Sequence, residues 1–263
     1  QVSYEATATG NPCRRPIEWL RTLYRRDDLN GLLPLGELQP LALPGESYKL
    51  AFTPGLIAQV FQRPRQGQAA EPLLPNLMAV LGGQAGNRGG YLPSQALKGD
   101  GRFPVTDDDD HWWIPSGRSY FTANPADAPA VELEQAQQHF FLPRRYRDPF
   151  GQDALVEFDA HDLLMVKTSD ALGNSVTVEA NDYRVLQPRL VSDPNRNQTE
   201  VTFDTLGMVA GTAVMGKPLP APVEGDKLNG FFADLTLSQL DQFMAAPRQP
   251  SPSSATTSAS GRW

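Results

Sequence analysis

Cysteine is nearly missing from this chain: Cys13 is the only one among 263 residues. No disulfide can form within the chain, and no cysteine-based metal site can be assembled. Long apolar runs are missing too, and no stretch of about 20 apolar residues offers a membrane span. There is no basic excess either, since 23 Lys and Arg stand against 30 Asp and Glu, for a formal net charge of −7. The cations are scattered, so no basic stripe offers itself to a phosphate backbone, and nucleic acid is not an expected partner. Gln1 is preceded by no initiator Met and followed by no basic-apolar leader, so the chain reads as part of a longer polypeptide.

Turn chemistry is what the chain has in abundance, with 22 Gly and 24 Pro. That composition favours many short strands over long helices, and 40% hydrophobic residues are enough to build a core. Self-comparison aligns Asp148-Pro149-Phe150-Gly151, Asp170-Ala171-Leu172-Gly173 and Asp193-Pro194-Asn195-Arg196, a period of 22 and then 23 residues. Aspartate accepts local backbone hydrogen bonds at the first turn position, proline presets φ at the second, and glycine at the fourth tolerates positive φ. Arg196 departs from this, with Asn195 and Asn197 beside it. Eight and ten residues after each aspartate stand Val156 and Phe158, Val178 and Ala180, and Val201 and Phe203, with Glu157, Glu179 and Thr202 between them. This is strand alternation with one buried face. Second turns follow at Asp159-Ala160-His161-Asp162 and Asp204-Thr205-Leu206-Gly207, so one repeat is one hairpin. A lone hairpin is marginal in water, and three copies imply a larger sheet.

These residues resemble the tyrosine-aspartate (YD) repeats of Rhs proteins, and most closely the B component of bacterial insecticidal toxin complexes. The resemblance is carried by Asn181-Asp182-Tyr183-Arg184-Val185-Leu186-Gln187-Pro188-Arg189 and by Phe203-Asp204-Thr205-Leu206-Gly207-Met208. It extends upstream through Arg21-Thr22-Leu23-Tyr24, the segment 43–55, Trp112-Trp113-Ile114-Pro115-Ser116-Gly117 and the segment 139–148, covering about residues 14–217. The second repeat has Ala180-Asn181 where the others have Phe-Asp. The resemblance implies a mainly β fold in which antiparallel hairpin repeats form part of a curved YD-repeat β-sheet shell, with a few short helices. It also implies a secreted or extracellular toxin protein that encloses a toxic polypeptide, alongside the remaining shell segments, the C component and a channel-forming A component. No cofactor, no catalysis and no direct membrane insertion are implied. The repeat positions are then structural: Asp148, Gly151, Phe158, Asp159, Asp170, Gly173, Asp193, Phe203, Asp204 and Gly207.

The expected organisation is a mixed β and short-helix shell segment at 1–140 with a loop insertion around 63–110, three YD-like hairpin repeats at 141–217, a connector with a short helix at 218–247, and a disordered tail at 248–263. Ile17, Leu20, Leu23 and Tyr24 share a helical face and predict a short amphipathic helix. Thr53-Pro54 and Asn124-Pro125 each predict a helix start, the latter helix ending near His139. Thr236-Leu237-Ser238-Gln239 has capping-box spacing ahead of Leu240, Phe243 and Met244, a helix whose apolar face should dock on the sheet before Pro247 stops it.

Other chemistry is weaker. The segment 211–217 has phosphate-loop spacing, but Pro218 stands where Ser or Thr should hold magnesium, and the segment also continues a strand. Asp107 to Asp110 with His111 could hold a hard cation, the seat of a metal-dependent hydrolase, although no calcium-loop spacing matches and a solvated acidic turn fits better. Trp112, Trp113 and Tyr120 could stack sugars in a surface adhesin or carbohydrate-binding β module, or Trp112 and Trp113 could fill a core. His139, His161, Ser94 and Ser116 form no recognisable triad. Gly82 to Gly90 reads as a flexible loop, and Arg144, Arg145 and Arg147 are expected to bridge acidic turns such as Asp148 and Asp159.

Overall fold

A computed structural model describes residues 2, 5–7, 10–82, 89–108, 110–219 and 224–246. The expected tail at 248–263 lies outside them. In chain order the elements are β1 (Leu20–Tyr24), β2 (Pro44–Phe52), α1 (Pro54–Val60), β3 (Gln62–Arg65), β4 (Gln68–Pro72), a π-helical turn at Met78–Gly82, β5 (Leu92–Pro93), α2 (Ser94–Gly99), β6 (Trp112–Pro115), β7 (Arg118–Tyr120), α3 (Pro129–Gln138), β8 (Arg145–Arg147), β9 (Asp153–Phe158), β10 (Met165–Ser169), β11 (Ser175–Asp182), β12 (Gln187–Ser192), β13 (Gln198–Phe203), β14 (Val209–Met215) and α4 (Leu237–Ala245). The fold is mainly antiparallel β with a few short helices, as the sequence implies. Its largest sheet has eight strands in the order β14-β13-β12-β11-β10-β9-β8-β7, a meander in which chain neighbours are sheet neighbours. The chain divides into two compact units, one up to Leu155 and one from Val156.

The first unit holds a four-stranded sheet of order β1-β2-β6-β5. One core cluster gathers Leu23, Tyr48, Leu97, Phe103 and Trp113, and a second gathers Leu29, Leu43, Phe121 and Ala136. The segment around Ile17 to Tyr24 is strand rather than the expected helix. Leu20 pairs with Lys49 and Leu23 with Glu46, and Leu23 is buried while Leu20 and Ile17 are exposed. The reason is Arg21, which a helical reading assigns to solvent. Its guanidinium lies over the rings of Trp19, Phe103 and Trp113 and pairs with Asp107, so the charged residue belongs to the packed face together with Leu23, two positions on.

Thr53 caps α1 as expected, its hydroxyl accepting from Leu56 N at 3.1 Å. The helix expected at Asn124-Pro125 starts later, at Pro129, because Asn124 Oδ1 accepts from Ala126 N and closes a turn there. It ends against His139 as expected. The stretch 63–110 contains more than loop: β3 and β4 form an exposed hairpin, but Leu81, Leu97 and Phe103 are buried.

The second unit contains β10 to β14. It is hydrogen-bonded across its width, yet among its described residues only Ser192 and Ala213 are buried. Val156, Phe158, Val178, Ala180, Val201 and Phe203 are all half-buried, so the alternation is present while the expected buried face is only partly covered. Helix α4 has its full capping box, with Thr236 and Gln239 bonding reciprocally. No residue of it is buried, and Leu237 and Met244 are 81% and 75% exposed, so its apolar face does not dock as expected. Among the described residues no helix is long and apolar enough to cross a membrane.

Candidate functional site

The site built by the repeats is a ladder of aspartate turns. At Asp170 the side-chain Oδ1 accepts from Leu172 N and Asn174 N, both at 2.9 Å, while Gly173 N donates to the Asp170 carbonyl at 3.1 Å. Asp170 N in turn donates to the Asn174 carbonyl, closing a three-residue loop. Gly173 has φ +85, so the loop is a type I turn followed by a left-handed residue, the pattern of a hairpin with a glycine bulge. Asp148 repeats these bonds with Phe150, Gln152 and Gly151. Asp193 binds Asn197 through both carboxylate oxygens, and Asp204 binds Met208 with Gly207 at φ +84. At Asp159 the left-handed place is taken by Asp162, φ +53. Arg196 occupies it in the Asp193 turn with φ +68.

A sixth turn is absent from the sequence reading. Asp182 Oδ1 accepts from Arg184 N at 2.9 Å, and Leu186 takes the left-handed conformation at φ +53. Aspartates 148, 159, 170, 182, 193 and 204 therefore recur every 11 or 12 residues. The 12-residue interval, from Asp170 to Asp182, contains the register shift between Val178 and Ala180. The signal for Asp182 lies in that spacing, but it is hidden by the lack of Gly, Asn or Asp at the left-handed position.

Neighbouring turns touch. Tyr183 donates its hydroxyl to Asp159 Oδ2 at 2.9 Å and meets the His161 ring edge-on, and Arg184 donates to the carbonyls of Thr205 and Phe203. These contacts cross-link the turns that begin at Asp159, Asp182 and Asp204. Desolvation raises the Asp159 pKa, but backbone donors and the Tyr183 hydroxyl outweigh it and hold the carboxyl below its usual range. Asp170 and Asp193 are lowered as well, foremost by the amides of Asn174 and Asn197. Phe158 and Phe203 end β9 and β13, next to Asp159 and Asp204.

The other candidate groups are engaged structurally. Trp112 and Trp113 are buried, and Trp113 Nε1 donates to Ser94 Oγ at 2.9 Å, so they offer no sugar-stacking surface. The face of Tyr120 is covered by the Arg145 guanidinium, 3.9 Å from the ring centre. Asp107 is held by Arg21, and no cluster of three or more metal-ligating groups occurs among the described residues. Ser116 Oγ accepts from Ser47 N. The phosphate-loop spacing at 211–217 falls mostly within β14, which pairs with β13 as an extended strand and opens no helix. Arg145 and Arg147 turn to Asp153 rather than to Asp148 or Asp159, with Arg147 making two bonds of 2.8 and 2.9 Å. Only Asp153, at the start of β9, stands directly across the ladder from Arg147.

No family model matches the chain, and no curated protein matches it. Solved structures do. The crystal structure of TcdB2-TccC3-Cdc42 aligns with 88% of this chain at 20% identity and a TM-score of 0.53, and that of TcdB2-TccC3-TEV with 85% at the same identity and score. The Photorhabdus luminescens Tc holotoxin pore aligns with 80% of the chain at 19% identity and a TM-score of 0.44. The chain spans about 9% of the length of the two crystal-structure chains. In fold, the chain is similar to a stretch of the TcdB2-TccC3 toxin complexes, in keeping with the YD-repeat resemblance of its sequence.

Proposed function

We propose that this chain is a structural segment of a toxin-complex shell that encloses and helps deliver a toxic polypeptide, with no catalysis of its own. The observation that carries this reading is the second unit's sheet: it is hydrogen-bonded across its width but only partly covered. A sheet that buries only Ser192 and Ala213 among its described residues cannot draw its stability from a core of its own. Repetition of hairpins, each supported by the next, is how such a sheet is sustained, and the contacts of Tyr183 and Arg184 with neighbouring turns supply that support. The fold likeness to TcdB2-TccC3 complexes points the same way. On this reading the repeat positions from Asp148 to Gly207 set the strand length of the wall. The partners are further shell segments, a C component, the enclosed polypeptide and a channel-forming A component, all acting outside the producing cell. Electron microscopy of the full-length parent polypeptide should show a hollow particle with these strands in its wall. A solid particle would sink the proposal.

A further inference from the structure

The first unit contains a cleft of about 870 Å³, within the range of roughly 300–1,000 Å³ usual for ligand sites. Its lining includes Glu46, Arg102, Arg118 and Arg147, with Met78, Leu92 and Pro115 among its apolar walls. Glu46 is almost wholly buried, and β2 sets it on the same face as Tyr48, which donates its hydroxyl to it. The same carboxylate receives Arg102 Nε at 3.1 Å and the Arg118 guanidinium. Gly117 lets these groups come together: a Cβ there would lie 2.3 Å from the Arg147 carbonyl, so only glycine allows the β6–β7 link to approach β8 and set Arg118 beside Arg147.

Each guanidinium has five N–H donors, and the acceptors seen among the described residues engage only some of them. Arg118 pairs with Glu46, Arg102 with Glu46 and Asp100, and Arg147 with Asp153. The Arg118 and Arg147 side chains remain 45% and 37% exposed. The other lining carboxylate, Asp148, has its Oδ1 committed to the N–H groups of Phe150 and Gln152. In a chain of net charge −7, the lining sets three guanidinium groups against two carboxylates, beside an apolar wall.

We propose that the cleft binds an acidic peptide segment, with a carboxylate taken by Arg118 and Arg147 and adjoining apolar side chains laid against Met78, Leu92 and Pro115. Planar guanidinium groups match a carboxylate with paired donors, and the apolar wall calls for a ligand with more than a bare anion. The inference does not depend on the shell reading.

The test is fluorescence anisotropy of the full chain with a dye-labelled hexapeptide of alternating Glu and Leu. Saturable binding is expected, weakened about tenfold or more in Arg118→Ala because a charged hydrogen bond is lost, and partly kept in Arg118→Lys. Arg189→Ala, on an exposed position of β12 that does not line the cleft, should bind like the wild-type chain. Arg147→Ala should weaken binding similarly, and Arg118→Ala decides alone where loss of the Asp153 pairing disturbs folding. Absence of saturable binding, equal binding of a Lys-Leu peptide, or unchanged affinity in Arg118→Ala would overturn the proposal. So would displacement of the acidic peptide by inorganic phosphate at lower concentration than by unlabelled peptide, which would make the site one for phosphate.

Discussion

The pair of Arg25 and Glu132 is a buried ion pair whose stability depends on pH. Arg25 donates two bonds to the Glu132 carboxylate, 2.9 and 2.8 Å, and Phe121 N adds a third at 3.0 Å. Burial alone would raise the Glu132 pKa, but these donors and the charges of Arg25 and Arg145 outweigh it and hold the carboxyl below its ordinary 4.5. A lowered folded-state value means that the stabilisation is complete above about pH 4.5 and is lost as pH falls through the lower folded value. Removing one partner of a buried pair strands the other, so Glu132→Gln should cost about 3–5 kcal/mol at neutral pH. Urea titrations at stepped pH should also show a flatter acid limb in that variant. The turns offer the opposite sign. Arg196 sits at φ +68, where Gly151, Gly173 and Gly207 stand in three of the equivalent turns. Arg196→Gly should therefore stabilise the chain by about 1 kcal/mol, read as a higher urea midpoint. The aspartate turns were legible in the sequence because Asp and Gly carry their geometry locally. The turn at Asp182 was not, because Leu186 holds its left-handed position against its own preference.

Elements were legible where a local signal closes on itself and were misread where a distant partner decides. The helix N-caps are the first kind: Thr53 and Thr236 start α1 and α4 where their hydroxyls accept from the first turn. Thr236→Ala should cost α4 about 1 kcal/mol, and with no buried face to hold it the helix should fray. Amide exchange at Leu240 and neighbouring residues is the measurement, with faster exchange in the variant expected. Strand β1 is the second kind, since its helical pattern is overruled by pairing with β2 and by the aromatic bed under Arg21. Trp113 lies in that bed, 2% exposed and edge-on to both Trp19 and Phe103. Trp113→Ala should cost about 3–5 kcal/mol by opening a cavity that the surrounding aromatic and aliphatic side chains cannot close, checked by thermal unfolding. The cleft with Glu46, Arg102 and Arg118 was invisible for the same reason: its members come from β2, the turn after α2 and β7, and no spacing joins them.

At the scale of the molecule the two units differ in kind. The first has two buried clusters, whereas the second has a laddered sheet whose apolar residues remain half exposed. Register places Val178, Val191, Thr199 and Val214 side by side in one row across β11 to β14. Val214 ends this row on the edge strand at 62% exposure, while its N–H is already taken by the Asp226 side chain and the Val214 carbonyl by Asp226 N. The backbone edge is thus partly closed at this point, and the apolar face is what stays available. A row of β-branched residues only half covered favours association with another apolar surface. The full chain should therefore self-associate as its concentration rises, and sedimentation velocity should show the shift. Val214→Lys sets a charge in the row at a solvent-open position, where the effect on folding should stay within about 0.5 kcal/mol. The variant should remain monomeric over the same range with an unchanged urea midpoint. If it associates as the wild-type chain does, the uncovered face is not the contact surface, and the open edges of the sheet must carry the assembly instead.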